Sequence, residues 1–181
     1  MFDFLTEFNF SFSYLLSQIF ALIGTILALV SMQKKKKIQL LNYNFLAAYC
    51  AILHYIFLGA WAGAVTKVIS AMRNGIAAYE TSKRKTSKVW PSIFVIFYII
   101  CGIATYKSLF SLLPTAATVI FTIAIYVSNI KTIRYAAVLG SLLWLIYNVY
   151  VFSIVGIISE VIFVINDVVA IWRYRKRRKK K

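Results

Sequence analysis

The chain has 181 residues, 61% of them hydrophobic and 17% aromatic, with a mean hydropathy of +0.78. A soluble globule of this length has too little interior to hide so much apolar surface, so the composition leaves an integral membrane protein. The formal net charge of +16 does not point to nucleic acid. Its cations fall in the clusters 34–37, 83–88, 131–134 and 173–181, each between or after apolar stretches, as in cytoplasmic loops. No nucleic-acid partner is expected; contact with anionic membrane lipid follows from the same clusters.

In chain order, the opening MFDFLTEFNFSFSY lacks the basic start and cleavage site of a secretory leader, and its phenylalanines suit an interfacial lead-in. A span needs about 20 predominantly apolar residues. Seven stretches qualify: 13–32, 40–59, 61–79, 89–106, 109–128, 135–153 and 154–172. With the N-terminus outside, QKKKK (33–37), ETSKRKTSK (80–88), NIKTIR (129–134) and RYRKRRKKK (173–181) all fall inside. The opposite connections carry only Lys107. Cys50 and Cys101 lie within spans, without metal-ligand or CxxC spacing, and read as small core residues. No metal or cofactor is expected.

Spans one to three and five to seven start on the same side, and the fourth restores it. The expectation is therefore an all-α fold of two parallel three-helix bundles joined by a linker helix, a 3+1+3 arrangement. Its parts are 1–79, the first bundle with its lead-in; 80–108, the basic loop and linker helix; 109–172, the second bundle; and 173–181, a basic cytoplasmic tail. A shift of 93 residues lays Lys67 on Glu160, Arg73 on Asn166 and Asn74 on Asp167. LHYIFLG (53–59) resembles LLWLIYN (142–148), which would need a gap of a few residues.

The stretches WLIYNVYVFSIVGIISEVIFVINDVVAIWRYR (144–175), LHYIFLGAWAGAVTKVISAMR (53–73) and LLP (112–114) together resemble the YgjV family of bacterial inner-membrane proteins, over most of residues 17–175. That family is grouped with PQ-loop and SWEET-like transporters. The resemblance implies a multi-pass protein of the bacterial inner membrane with SWEET-like bundles. It names no solute. Where a PQ-loop protein has Pro-Gln after its first span, this chain has Met32–Gln33, which removes a proline hinge there.

Charges deep in a bilayer are costly and therefore pair, face the bundle interior or line water. His54, Lys67, Arg73, Glu160 and Asp167 lie within spans. Lys67 and Asn74 are seven apart and share a helix face; Glu160 and Asp167 do the same. If the third and seventh helices face a common seam, Arg73, Glu160, Asn74 and Asn166 reach a solute there. The competing reading makes Lys67–Glu160 and Arg73–Asp167 structural ion pairs, with Lys67 also able to snorkel outward and Asp167 within reach of the basic tail. His54 in its aromatic run is a solute or proton contact, or a hydrogen-bonded core residue.

Trp144 shares a face with Tyr147 and with Asn148, which suits a flat or hydroxylated solute and equally suits packing. The SWEET-like resemblance implies a Trp and an Asn from each bundle at the pocket: Trp144 and Asn166 in the second, Asn74 with Tyr55 replacing the Trp in the first. Pro114 is a gate hinge or a first-turn proline. Gly24, Gly59 and Gly63 permit close helix approach. No HExxH, phosphate loop or catalytic triad is present, so an enzyme is not expected. The expected function is a facilitator or secondary carrier of a small polar solute, working by alternating access around a midplane site. The alternative is a non-transporting receptor or scaffold binding a peptide or lipid. Homo-oligomerisation is left open.

Overall fold

The computed structural model describes residues 12–34, 37–83, 87, 89–127 and 130–178. The lead-in before Phe12, parts of the basic loops (35–36, 84–86, 88 and 128–129) and the tail end 179–181 lie outside the described residues. Seven α-helices follow in order: α1 Phe12–Gln33, α2 Lys37–Phe57, α3 Trp61–Ser82, α4 Val89–Ala104, α5 Leu113–Val127, α6 Ile130–Tyr150 and α7 Ile154–Arg178. No strand occurs among the described residues. A 3₁₀ turn, Leu109–Leu112, leads into α5. α6 begins and α7 ends inside basic clusters. Hydropathy stops a span at a cation, but Lys and Arg are good helix formers and suit a helix C-terminus.

The helices are apolar outside and small or polar inside. On α1, Tyr14, Ser17, Ala21 and Gly24 are buried at spacings of three and four, while Leu15, Ile19, Leu22 and Ile26 are exposed. On α7, Ser159, Glu160 and Asp167 are buried, while Ile154, Ile158, Ile165 and Val168 are exposed. A water-soluble helix reverses this pattern; lipid permits it because hydrocarbon solvates the outer face. Phe12–Gln33 and Ile154–Trp172 are each long and apolar enough to cross a membrane.

The α2–α3 and α6–α7 turns are the same structure 93 residues apart. In the first, Ala60 N–H bonds Tyr55 O at 2.9 Å and Gly59 N–H bonds Ile56 O at 3.0 Å; in the second, Ser153 N–H bonds Asn148 O at 2.9 Å and Phe152 N–H bonds Val149 O at 3.2 Å. Both are six-to-one helix stops with a left-handed residue at the corner, Gly59 at φ +69° and Phe152 at φ +54°. The match extends beyond the turns. Thr25 and Thr118 hydroxyls donate to carbonyls four residues back, and so do Thr66 and Ser159. LHYIFLG therefore lies on IYNVYVF (146–152) without a gap, which corrects the gapped alignment to 142–148. Backbone hydrogen bonds preserve the register where side chains have diverged.

In the order α1, α2, α3, α5, α6, α7 each helix packs on the next, and α7 returns to α1; α4 packs on α3 and α5. The expectation that α3 faces α7 directly is corrected. Among the described residues those two backbones make no contact, and each packs instead on the first helix of the other half, α3 on α5 and α7 on α1.

Candidate functional site

The line along which residues of α1–α3 meet residues of α5–α7 is here called the seam. At the end carrying the two turns, five hydrogen bonds cross it. Tyr14 OH donates to Phe152 O at 3.2 Å, and Val155 N–H donates to Gln18 Oε1 at 2.9 Å. Tyr55 OH donates to Asn148 Oδ1 at 2.9 Å, and Gly63 N–H donates to Tyr147 OH at 3.0 Å. His54 supplies the fifth. Its Nδ1 lies 2.8 Å from Ser17 O; a carbonyl only accepts, so Nδ1 carries the proton and Nε2 accepts from Ser153 Oγ at 3.0 Å. Ser153 Oγ accepts in turn from Gly156 N–H. Both ring nitrogens of His54 are thus used in holding the turn end together. Tyr55 and Asn148, the pair in contact, occupy equivalent positions in the 93-residue register.

Glycine at 63 is required by this packing. A Cβ there would stand 2.8 Å from the Tyr55 ring and 3.0 Å from that of Tyr147. Beyond it lies an aromatic group: Tyr55 stacks on Trp144 at 5.6 Å, and Tyr147 meets Trp144 edge-on at 5.8 Å. Ala62 and Ala64 of α3 and Ala117 of α5 fill the space around them.

The intramembrane charges sit next. Along α3, Gly63, Lys67 and Arg73 stand about 3, 9 and 18 Å from Trp61 at the usual helical rise. Lys67 Nζ does not snorkel; it lies over the Trp144 ring, 3.9 Å from the centroid. Glu160 is buried near Lys67, without ion-pair contact. Arg73 is buried against α5: Nη1 donates to Thr122 Oγ1 at 2.7 Å, and the guanidinium carbon lies 5.7 Å from the Phe121 ring. Its Nη2 reaches Asn74 Oδ1 only at 3.5 Å, and its Nε has no hydrogen-bond partner.

The fold thus gathers His54, Tyr55, Tyr147 and Asn148 at the turn end, Trp144, Lys67 and Glu160 next to them, and Arg73 with Asn74 further along. Two expectations need correction, and of the two readings of Pro114 the first-turn one fits. Asn166 is exposed, its amide on Met32 Sδ at 3.0 Å, so it does not face the seam with Asn74. Asp167 is buried and pairs with Arg134, the one ion pair among the described residues, rather than with Lys67 or Arg73. Pro114 occupies the first turn of α5, where the missing N–H would have had no helical partner anyway, so it starts a helix and does not bend one.

Sequence reading passed over Ser17, Ser153, Thr122 and Arg134 as partners. Thr115, Thr118 and Thr122, spaced three and four apart in a largely apolar helix, were the available signal of a polar inner stripe.

A family model described as "Bacterial inner membrane protein" matches residues 15–178. Inner membrane protein YgjV of Escherichia coli (strain K12) is 25% identical over 138 residues, covering 73% of this chain and 72% of that protein. No solved structure matches. The matched region runs from within α1 to the end of α7 and includes every residue of the seam above except Tyr14, and the chain belongs to the Imp-YgjV family of bacterial inner membrane proteins.

Proposed function

We propose that this protein is a facilitator or secondary carrier of a small polar solute. In this reading α1–α3 and α5–α7 are two three-helix bundles, α4 is the linker, the N-terminus is outside and the C-terminus cytoplasmic. The observation that carries it is the distribution of polar contacts along the seam. The turn end is fastened by the five hydrogen bonds from Tyr14, Gln18, His54, Tyr55 and Gly63. Midway the hydroxyls of Thr25 and Ser159 meet across the seam at 2.5 Å, and toward the basic end the contacts thin to Arg73–Thr122 and the exposed Asn166–Met32 pair. Between lie the half-buried Lys67, the buried Glu160 and the Trp144 ring, where a solute is held. Such an asymmetry fits a carrier resting closed on one side, and a repeated turn is the element on which two halves can rock.

Trp144 and Tyr55 supply the stacking surface, Lys67, Glu160 and Arg73 the charge, and Asn74 an amide. The basic clusters bind anionic lipid at the cytoplasmic face. No catalytic role is assigned to any residue.

Alternating access predicts that each end opens in turn. Single cysteines at Ala60 (turn end) and Asn74 (basic side), in a chain with Cys50 and Cys101 replaced by Ala, are exposed in proteoliposomes to a membrane-impermeant maleimide from either side. A carrier labels at Ala60→Cys from one side and Asn74→Cys from the other, both to completion. A receptor or scaffold open to one side labels at one position only, and that result would end the carrier reading.

A further inference from the structure

Arg73 is a cation with no counter-charge in contact among the described residues. The buried carboxylates among the described residues lie elsewhere: Asp167 pairs with Arg134, and Glu160 lies near Lys67. With the Arg134–Asp167 pair neutral, Lys67 and Arg73 against Glu160 leave one uncompensated positive charge in the interior. Arg73 is 6% exposed, so bulk water does not supply the compensation.

The way Arg73 is held shows which part of it is available. Nη1 is fixed on Thr122 Oγ1, and that hydroxyl is itself oriented by donating to Thr118 O at 2.6 Å. Phe121 stands against the guanidinium carbon. What remains is the opposite edge, Nε with no acceptor and Nη2 with only the long contact to Asn74. Two parallel N–H donors on one edge match the two oxygens of a carboxylate, the bidentate geometry in which Arg differs most from Lys. A neutral hydroxylated solute would satisfy the donors but leave the charge uncompensated.

We propose that the Nε/Nη2 edge of Arg73 is the seat of a carboxylate, so that the solute is a small organic monoanion. Thr122 acts as a positioning residue that turns this edge toward the seam. The proposal rests on the carrier reading for the fate of the anion, but not for its binding.

The test uses the full chain in detergent with acetate, lactate and benzoate, each against its amide at constant ionic strength. Two signals are followed: thermal stability and the Nε–H resonance of Arg73, assigned by its absence in Arg73→Lys. At least one acid should stabilise the protein and move that resonance downfield, with its amide doing neither. Arg73→Lys should weaken binding of that acid about tenfold or more, the loss of charge-assisted hydrogen bonds, and Thr122→Val should shift the Nε–H resonance even without ligand. Equal effects of acids and amides, or no response to any of the three acids, overturns the proposal. Should an acid bind at Arg73 while the labelled acid shows no counterflow in proteoliposomes, the carrier reading fails and the site stands. Conversely, counterflow of a neutral solute that Arg73→Gln leaves intact removes the site and spares the carrier.

Discussion

Removing the Tyr55 hydroxyl tests the turn-end closure most directly. The bond to Asn148 is 2.9 Å long and buried, with Asn148 1% exposed. Tyr55→Phe keeps the ring on Trp144 but strands the Asn148 oxygen away from water. A buried acceptor left without its donor costs about 1–3 kcal/mol. That cost falls on the closed state alone, because once the turn end opens water replaces the lost donor. An energy difference of 1.4 kcal/mol is tenfold, so the open population should rise at least about fivefold. The readout is the rate at which Ala60→Cys reacts with impermeant maleimide, in the background lacking Cys50 and Cys101. Adding Asn148→Leu to Tyr55→Phe should bring the rate back toward the starting value, since two apolar partners leave no stranded group. An unchanged rate in Tyr55→Phe, or a double variant faster than either single one, would show that this contact does not hold the end shut.

Gly63→Ala places a methyl group 2.8 Å from the Tyr55 ring, and overpacking should cost about 1–3 kcal/mol, read as a lowered thermal midpoint in detergent. Gly59→Ala meets no atom within 4 Å, so only the left-handed backbone resists it; the expected loss is about 1 kcal/mol, and a much larger loss would mean packing not seen at that corner. Asp167→Asn removes the partner of Arg134, whose side chain is 37% exposed; with that cation still reaching water, the loss of stability should stay near or below about 1 kcal/mol by denaturant titration.

The spans were legible because a bilayer demands a length and a composition, and both can be counted along a chain. The 93-residue register was legible in α3 and α7, where Lys67 and Glu160 stand out against apolar neighbours. It was lost at the turns because Gly59 and Phe152 share a backbone conformation but no chemistry. The misplacement of Asn166 was avoidable. A helix turns 100° per residue, so the neighbour of Asp167 cannot share the face that Glu160 and Asp167 define. The partners of Asp167 and Arg73 were not legible. Arg134 lies 33 residues from Asp167 and Thr122 lies 49 from Arg73, and those distances close only when α6 meets α7 and α3 meets α5. The sequence gives each charge its depth, but packing chooses its partner.

The divergence of the repeats has a physical consequence. Two identical halves about an axis would place like groups at equivalent positions: Lys67 would face a lysine, and Tyr55 would meet a tyrosine. Two lysines in a dry interior repel at close range, and neither could neutralise the other. In the proposed two-bundle arrangement a single chain allows a cation at position 67 and an anion at position 160, so that each lowers the other's insertion cost. At the axis, Tyr55 donates and Asn148 accepts, a division of roles that identical side chains could achieve only by breaking symmetry. Position 73 departs from the rule. Its equivalent, Asn166, points away, and Arg73 receives no opposite charge from the other half. Among the described residues the other buried charges have an opposite charge in contact or nearby, and Arg73, which has none, is where the proposed carboxylate would bind.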